Sequence, residues 1–335
     1  MKKLLSLALA LIIVLTLSVA VFAADNQEAS FNLTYKLENV DTSNPAETFT
    51  FTFTNGQVTD AAAGTVAPSV PDATVSFDAG SATVDGFQKQ VSVALGGVTW
   101  PSVGIYTYDV TQKAGTTAGV NYSDVTAKLK VTVARDDATG EYYTAFVTLS
   151  LADENHDGQT DSKTANFENT YSAGSLSVSK NVAGNLGDRT KYFAITVTLT
   201  GEGDKTYAAT YPVTGGSKLV NGTDDAAEAT IPLDTPTTFY LKHGETFTIS
   251  NLPYGVTYTV TEADYSSEDY TQKIVFSDDA NKKIDSASDT VDITNTKGTT
   301  VDTGIALDSL PYVLLIAVAV VGVVAFTAKK RTTDR

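Results

Sequence analysis

The sequence has no cysteine, two histidines and few basic residues among its 335 positions. Without cysteine the chain cannot form disulfides, thiolate zinc sites, cysteine nucleophiles or Cys–Gln thioesters. The 23 Lys and Arg residues stand against 39 Asp and Glu, which gives a formal net charge of −16. Nucleic acids and anionic lipids need cationic protein faces, so this charge argues against both as partners.

The first residues have the pattern of a secretory signal peptide. Lys2 and Lys3 precede an apolar stretch at residues 4–22, and the small residue Ala23 follows. A basic segment, an apolar segment and a small residue at the cleavage position are the parts of such a signal. We expect cleavage after Ala23, so that residues 1–23 are removed.

A second apolar run occupies residues 310–328, close to the C-terminus. It is long enough to cross a bilayer as a helix, and the basic residues 329–331 that follow are expected to stay in the cytoplasm. The pattern predicts a transmembrane helix and a basic tail over residues 305–335. A plain membrane anchor would also explain this segment.

The chain between these terminal segments is predicted to be all-β. Phenylalanines alternate with threonines over residues 48–54 and lead to Asn55 and Gly56, which predicts a strand and a tight turn. The same alternation recurs at residues 193–199, and no stretch keeps helical periodicity for three turns. Many short strands separated by turn residues are typical of Ig-like β-sandwiches.

Two halves of the chain echo one another. Residues 108–112 correspond to residues 258–262, and each half closes with an Asn-Thr pair, at 169–170 and at 295–296. Small residues at 172–174 separate the two patterns. We therefore predict two tandem Ig-like β-sandwich domains, at residues 24–172 and 173–297, with a linker at 298–304.

Three polar residues of the second domain occupy positions that should face its core. Lys180, Glu262 and Asn295 each occur in phase with the apolar residues of a predicted strand. An isolated buried charge costs several kcal/mol, which suggests that the three side chains share one site.

Such a site can form a covalent bond. Burial favours the uncharged forms of an amine and a carboxylic acid, and a neutral amine is a nucleophile. Glu262 could polarise the Asn295 carboxamide and carry protons while Lys180 attacks and ammonia leaves. The resulting isopeptide bond would tie distant strands together, as a disulfide does. A buried salt bridge, or a lysine that extends to solvent, is the alternative.

The second domain resembles the C-terminal domain of streptococcal-type pilus backbone subunits. The resemblance runs from residue 176 to residue 295 and includes Leu-Lys-His-Gly-Glu at 241–245 and Asn-Leu-Pro-Tyr-Gly at 251–255. The first half is similar to the pilin isopeptide-linkage domain of the same proteins. The family implies a bond between Lys180 and Asn295, with Glu262 as its catalyst.

Residues 300–304, the apolar span and the basic tail together resemble a Gram-positive cell-wall sorting signal. In that family a sortase cleaves between threonine and glycine and joins the threonine carbonyl to an amine. The resemblance implies cleavage between Thr303 and Gly304. The proline of the family motif is absent here, and only Thr303, Gly304 and the layout match. Retention as a membrane protein is the alternative.

The first domain departs from the Lys–Glu–Asn pattern. The lysine of the family could align with Leu33 or, after a short deletion, with Lys36. Gln112 occupies the glutamate position and cannot act as an acid. Since only Asn169 is retained, we predict that this domain forms no isopeptide bond.

Lys163 is the candidate for the lysine that joins one subunit to the next. Pilin polymerisation needs an exposed lysine that attacks the acyl intermediate between sortase and Thr303. The streptococcal family carries a lysine at nearly the position of Lys163. A solvated surface lysine without this role is the alternative.

The segment before Lys163 has a weak likeness to a calcium loop. Asp153, Asn155, Asp157 and Asp161 fit its early positions, but Thr164 stands where a bidentate glutamate is required. An acidic hairpin loop is the favoured interpretation, and no metal or other cofactor is predicted.

These patterns predict a secreted, cell-wall-anchored structural protein of a Gram-positive bacterium, the backbone pilin of a sortase-assembled pilus. Its expected partners are a sortase, other subunits in a covalent homopolymer, and peptidoglycan. The alternative is a monomeric surface adhesin, anchored to wall or membrane, with a host protein as its ligand. No recognisable nucleophile, metal-ligand or paired-carboxylate motif indicates an enzyme beyond self-catalysed crosslinking.

Overall fold

The computed structural model describes residues 28–151, 166–216 and 229–298. Regular structure in these ranges is almost entirely β-strand, and their one helical element is the short 3-10 turn Ser266–Glu268. The prediction of an all-β chain is confirmed. The predicted signal peptide and C-terminal membrane helix lie outside the described residues.

The strands of the first half form two sheets. The strands are β1 (Ala29–Leu37), β2 (Glu47–Thr59), β3 (Ala73–Phe77), β4 (Phe87–Val93), β5 (Gly104–Lys113), β6 (Val120–Asn121), β7 (Thr126–Arg135), β8 (Tyr142–Leu151) and β9 (Asn166–Tyr171). Their order is β4-β1-β9-β6 in one sheet and β3-β2-β5-β7-β8 in the other. Both sheets contribute to one hydrophobic core, where the rings of Phe31 and Phe51 lie 4.8 Å apart. Two sheets that share a core in this way form a β-sandwich.

The strands of the second half form a six-stranded and a three-stranded sheet around a separate core. The strands are β10 (Ala173–Ala183), β11 (Phe193–Thr200), β12 (Tyr211–Gly215), β13 (Ala229–Ile231), β14 (Thr237–Leu241), β15 (Thr246–Pro253), β16 (Thr257–Glu262), β17 (Thr271–Phe276) and β18 (Ser288–Thr296). Their order is β13-β12-β15-β10-β18-β17 in the six-stranded sheet and β14-β11-β16 in the three-stranded sheet.

Each half places its first strand beside its last. β1 pairs in parallel with β9, and β10 pairs in parallel with β18. These pairs join segments far apart in the sequence. A side chain on the first strand can therefore contact one on the last.

The predicted turn at Asn55 and Gly56 is wrong. β2 continues through both residues, and its pairing with β5 shifts between Thr54 and Gln57. Asn55 has a left-handed φ of 53°, and its side-chain amide donates a hydrogen bond to Asp109 at 2.8 Å. The dipeptide forms a bulge instead of a hairpin because the partner strand continues alongside it.

Side-chain hydrogen bonds join the two halves. Asn39 Nδ2 donates to the carbonyl of Ala173 at 2.7 Å and to the hydroxyl of Tyr254 at 2.9 Å. Ser43 N donates to Asn251 Oδ1 at 2.8 Å, and Asn251 Nδ2 donates to the Ser43 carbonyl at 2.9 Å. The halves are thus held together by more than the connecting chain.

Asp289 places a carboxyl group in the second half with only 3% of the residue exposed. Its Oδ1 accepts a hydrogen bond from the hydroxyl of Ser286 at 3.0 Å. Burial raises the pKa of Asp289 above the usual value for aspartate, and the hydrogen bond from Ser286 opposes this shift. The carboxyl group is therefore more easily protonated in the folded protein than in the unfolded chain.

This carboxyl predicts a pH dependence of stability. Because the pKa of Asp289 is higher in the folded protein than in the unfolded chain, its protonated carboxyl stabilises the fold. This stabilisation is complete below the unfolded pKa of about 3.9 and is lost as pH rises through the folded pKa. Asparagine cannot ionise, so we expect Asp289→Asn to lose less stability than the wild type as pH rises. Thermal unfolding between pH 4 and pH 8 measures this difference. Asp292→Asn, at an exposed position of the same strand, should keep the wild-type dependence. Identical pH profiles for wild type and Asp289→Asn would contradict the assignment.

Candidate functional site

The three polar residues singled out in the second half lie on three different strands. Lys180 is on β10 and Asn295 is on β18, which are neighbours in the six-stranded sheet. Glu262 is the last residue of β16, in the three-stranded sheet. The site therefore draws side chains from both sheets of this half.

Strand register brings Lys180 and Asn295 close together. Asn295 lies opposite Val182, and Lys180 lies opposite Ile293. Residues two apart on a strand share a face, so Lys180 and Asn295 are diagonal neighbours on one face. Lys180 is 1% exposed and Asn295 is fully buried, as expected for a core-facing position.

Lys180 and Glu262 form a buried ion pair. Nζ of Lys180 lies 2.8 Å from Oε1 of Glu262, and neither side chain is exposed to solvent. Nζ also lies 4.3 Å from the centroid of the Phe193 ring.

The surroundings of Lys180 make its ammonium easier to deprotonate than that of an exposed lysine. Burial lowers the pKa of Lys180 below the usual value for lysine, and the contact with Glu262 opposes the shift. A lower pKa leaves a larger fraction of nucleophilic amine at a given pH.

Asn295 presents an unpaired carboxamide at this site. Neither its Oδ1 nor its Nδ2 has a hydrogen-bond partner among the described residues. A buried polar group without a partner costs about 1–3 kcal/mol. No hydrogen-bond partner in the described part of the chain therefore competes for this carboxamide with Lys180, its diagonal neighbour.

The backbone of Lys180 is fixed by the loop between β14 and β15. Lys180 N donates to the Glu245 carbonyl at 2.9 Å, and Gly244 N donates to the Lys180 carbonyl at 2.8 Å. Two residues further, Val182 N donates to Nδ1 of His243 at 3.0 Å. This loop includes the Leu-Lys-His-Gly-Glu segment, whose positioning role could not be assigned from the sequence.

An aromatic cluster that includes Phe193 adjoins the amine. Phe193 packs edge-on against Tyr265 and Tyr270, with ring centroids 4.9 Å and 5.4 Å away. Val182, Phe193 and Tyr270 form a small apolar cluster apart from the main core. Sequence reasoning missed this cluster, because Phe193 resembles any other inward residue of an alternating strand.

The corresponding site of the first half is different. Tyr35 lies opposite Asn169 and Leu33 lies opposite Phe167, which repeats the register of Val182 and Lys180 in the second half. Leu33, which is fully buried, therefore occupies the lysine position. Lys36 is paired with Glu168 at 2.6 Å, and both side chains are partly exposed.

The side-chain amides of Gln112 and Asn169 hydrogen-bond to each other. Gln112 Nε2 donates to Asn169 Oδ1 at 2.6 Å, and Asn169 Nδ2 donates to Gln112 Oε1 at 3.0 Å. Ser123 N also donates to Asn169 Oδ1, at 2.8 Å. The first half thus holds a paired amide where the second half holds an ion pair beside an unpaired carboxamide.

The remaining predicted site residues lie outside the described ranges. They are the candidate polymerisation lysine Lys163, the cleavage residues Thr303 and Gly304, and the calcium-loop residues Asp153, Asn155, Asp157 and Asp161. Within the described ranges, no cluster of His, Asp and Glu is arranged to hold a metal ion. No helix in those ranges is long and apolar enough to span a membrane.

Family models match most of the described chain. Residues 31–172 match a Spy0128-like isopeptide containing domain. Residues 174–297 match a domain of unknown function (DUF7601).

Proteins similar to this chain occur in Streptococcus pyogenes. A curated protein named Pilin, from Streptococcus pyogenes serotype M1, is 32% identical over 246 residues, which is 70% of this chain and 69% of the relative. The crystal structure of the major pilin from Streptococcus pyogenes is 24% identical with a TM-score of 0.54, covering 82% of this chain and 100% of that one. A major pilin protein (T3.2) from the same species is 22% identical with a TM-score of 0.53, at the same coverage. These structural likenesses show a common fold.

Proposed function

This chain belongs to the pilin family, and from that premise we propose that it is the backbone subunit of a covalently assembled pilus. The observation that carries the proposal is the fully buried contact of 2.8 Å between Lys180 and Glu262, beside the unpaired Asn295 carboxamide. That arrangement can form an internal crosslink. Such a crosslink would help a pilus subunit that has no disulfides to withstand mechanical force.

The proposed crosslink forms by exchange of one amide for another. The Lys180 ammonium gives a proton to Glu262, and the neutral amine attacks Cγ of Asn295. Glu262 passes its proton to Nδ2 and takes one from the attacking nitrogen, and the bond from Cγ to Nδ2 then breaks. Ammonia leaves, and the proton left on Glu262 passes to ammonia or solvent. Lys180 and Asn295 are then joined, and Glu262 is regenerated.

The terminal segments complete the proposed assembly. The signal peptide at residues 1–23 directs secretion, and the transmembrane helix and basic tail at residues 305–335 hold the chain in the membrane until sorting. A sortase then cleaves between Thr303 and Gly304 and transfers Thr303 to a lysine of another subunit or to peptidoglycan. The two β-sandwiches act as Ig-like modules, at residues 24–172 and 173–297, in a polymer at the cell surface.

Lys163 is the proposed acceptor of Thr303, and Lys163→Arg tests this role. Arginine keeps the positive charge but cannot serve as the attacking amine at neutral pH. We expect a wall extract of the native organism, boiled in SDS and immunoblotted, to give a ladder of high-mass bands. The ladder should collapse to one band in the variant.

Lys205→Arg, at an exposed turn of the second half, is the matched control and should keep the ladder. A ladder that persists in Lys163→Arg would remove Lys163 from this role. A single anchored band in the wild type would contradict the polymer and would favour the monomeric adhesin, whose host ligand would then be sought.

A further inference from the structure

Gln272 contacts the crosslinking site from the edge strand β17. It lies opposite Asn295 in the pairing of β17 with β18. Its side-chain Nε2 donates a hydrogen bond to Oε2 of Glu262 at 2.8 Å. Gln272 is exposed, whereas the Glu262 side chain beneath it is not.

This contact makes the two oxygens of Glu262 unequal. Oε2 accepts the hydrogen bond from Gln272, and Oε1 lies 2.8 Å from Nζ of Lys180. A carboxylate oxygen that accepts a hydrogen bond from an amide is less readily protonated, because that hydrogen bond already uses one of its lone pairs. A proton taken from Lys180 is therefore held at Oε1, beside the amine that must attack.

The same contact fixes the carboxylate plane. A carboxylate at the end of a strand can rotate about its last bonds, and catalytic groups need to be held within about 0.5 Å of their working position. Lys180 alone would hold Glu262 from one side only. Gln272 supplies the second point of attachment, from a strand that neither Lys180 nor Glu262 belongs to.

A surface cavity of about 460 Å³ adjoins this contact. Glu262, Asn295 and Gln272 line it together with Tyr265 and Tyr270. Other lining residues are exposed, so the cavity reaches the solvent. A titratable side chain placed at position 272 would consequently follow the pH of the surrounding buffer.

We propose that Gln272 is a positioning residue for the crosslink, which holds Glu262 so that Oε1 serves as the proton carrier between Lys180 and Asn295. The inference rests on the proposed crosslink and deepens it. Gln272 exchanges no proton and forms no bond in the reaction. Lys180 still loses its protons through Glu262, the bond from Cγ to Nδ2 of Asn295 still breaks, and one ammonia is still released.

The test measures the rate of crosslinking in the full-length chain. The chain is synthesised in a cell-free reaction with detergent, moved to buffers from pH 3.5 to pH 8, a range that includes the usual glutamate pKa of about 4.3, and sampled over time. Mass spectrometry of a tryptic digest then gives the fraction of Lys180 joined to Asn295. Gln272→Leu removes the donor, and Gln272→Glu replaces it with a group that donates only when protonated. Lys273→Leu, on the opposite face of β17, is the control.

We expect Gln272→Leu to slow the reaction by about ten- to a hundredfold, the range for loss of one hydrogen bond to a charged group. Gln272→Glu should crosslink closest to the wild-type rate at low pH, where the new carboxyl group is protonated and can donate. Its rate relative to the wild type should fall as pH rises. Lys273→Leu should match the wild type. Altered packing alone would not produce a pH profile that depends on the donor at position 272.

Three results would overturn the inference: a wild-type rate in Gln272→Leu, equal slowing of Gln272→Glu at every pH, or equal slowing in Lys273→Leu. Absence of the linked peptide in the wild type would be a different failure. It would refute the proposed crosslink itself, whereas the other results leave the crosslink in place and remove only the role of Gln272.

Discussion

Asn295→Ala is expected to lower the unfolding midpoint of the second half by on the order of 15 °C. The proposed bond closes a loop of about 115 residues, and a crosslink over about 100 residues is worth about 4.7 kcal/mol in the chain-entropy model. Each kcal/mol corresponds to about 3–4 °C for a domain of this size. Alanine at position 295 removes the acceptor and leaves the contact between Lys180 and Glu262 in place.

Differential scanning calorimetry of the wild type and the variant measures this shift. Asn281→Ala changes an exposed turn residue of the same half and should leave the midpoint unchanged. Glu262→Gln keeps the shape of the catalyst without its acid and should lose most of the stabilisation as well. A midpoint for Asn295→Ala within about 3 °C of the wild type would contradict a crosslink of this strength.

The second large effect is the gain of a crosslink in the first half. The register of β1 and β9 puts Leu33 at the lysine position relative to Asn169, and Gln112 already contacts the Asn169 carboxamide. We expect the double variant Leu33→Lys, Gln112→Glu to lose a second ammonia, about 17 Da, and to gain about 5 kcal/mol of stability in that half. Intact-mass and unfolding measurements on the same sample test both effects.

Leu33→Lys alone is the matched control. It buries an amine without an acid partner, so it should lose no ammonia and be destabilised by several kcal/mol. If the double variant also loses no ammonia and is destabilised, the equivalence of strand register is not enough for crosslinking. The geometry around Asn169 would then differ from that around Asn295.

The core of the candidate site was predictable because strands alternate with period two. Lys180, Glu262 and Asn295 each interrupt an apolar face, and a polar residue at such a position needs a partner. Periodicity gives the face of a residue but not its neighbours across strands. The choice between Leu33 and Lys36 therefore stayed open until the pairing of β1 with β9 was known.

Other features depend on contacts that sequence spacing does not encode. Gln272 occurs on an edge strand, and only the position of β17 beside β18 brings it to Glu262. Asn55 and Gly56 favour a hairpin turn locally, but the pairing of β2 with β5 holds them in a bulge. In both cases the neighbouring strand determines the outcome.

The intact mass of the protein tests the central claim most directly. Mass spectrometry of the monomeric chain, with both of its termini established by sequencing of the terminal peptides, is compared with the mass calculated for the residues present. The account predicts a deficit of one ammonia, about 17 Da, and a tryptic peptide that joins Lys180 to Asn295. A mass equal to the calculated value would contradict the crosslink in the second half, and a deficit of two ammonias would contradict its absence from the first.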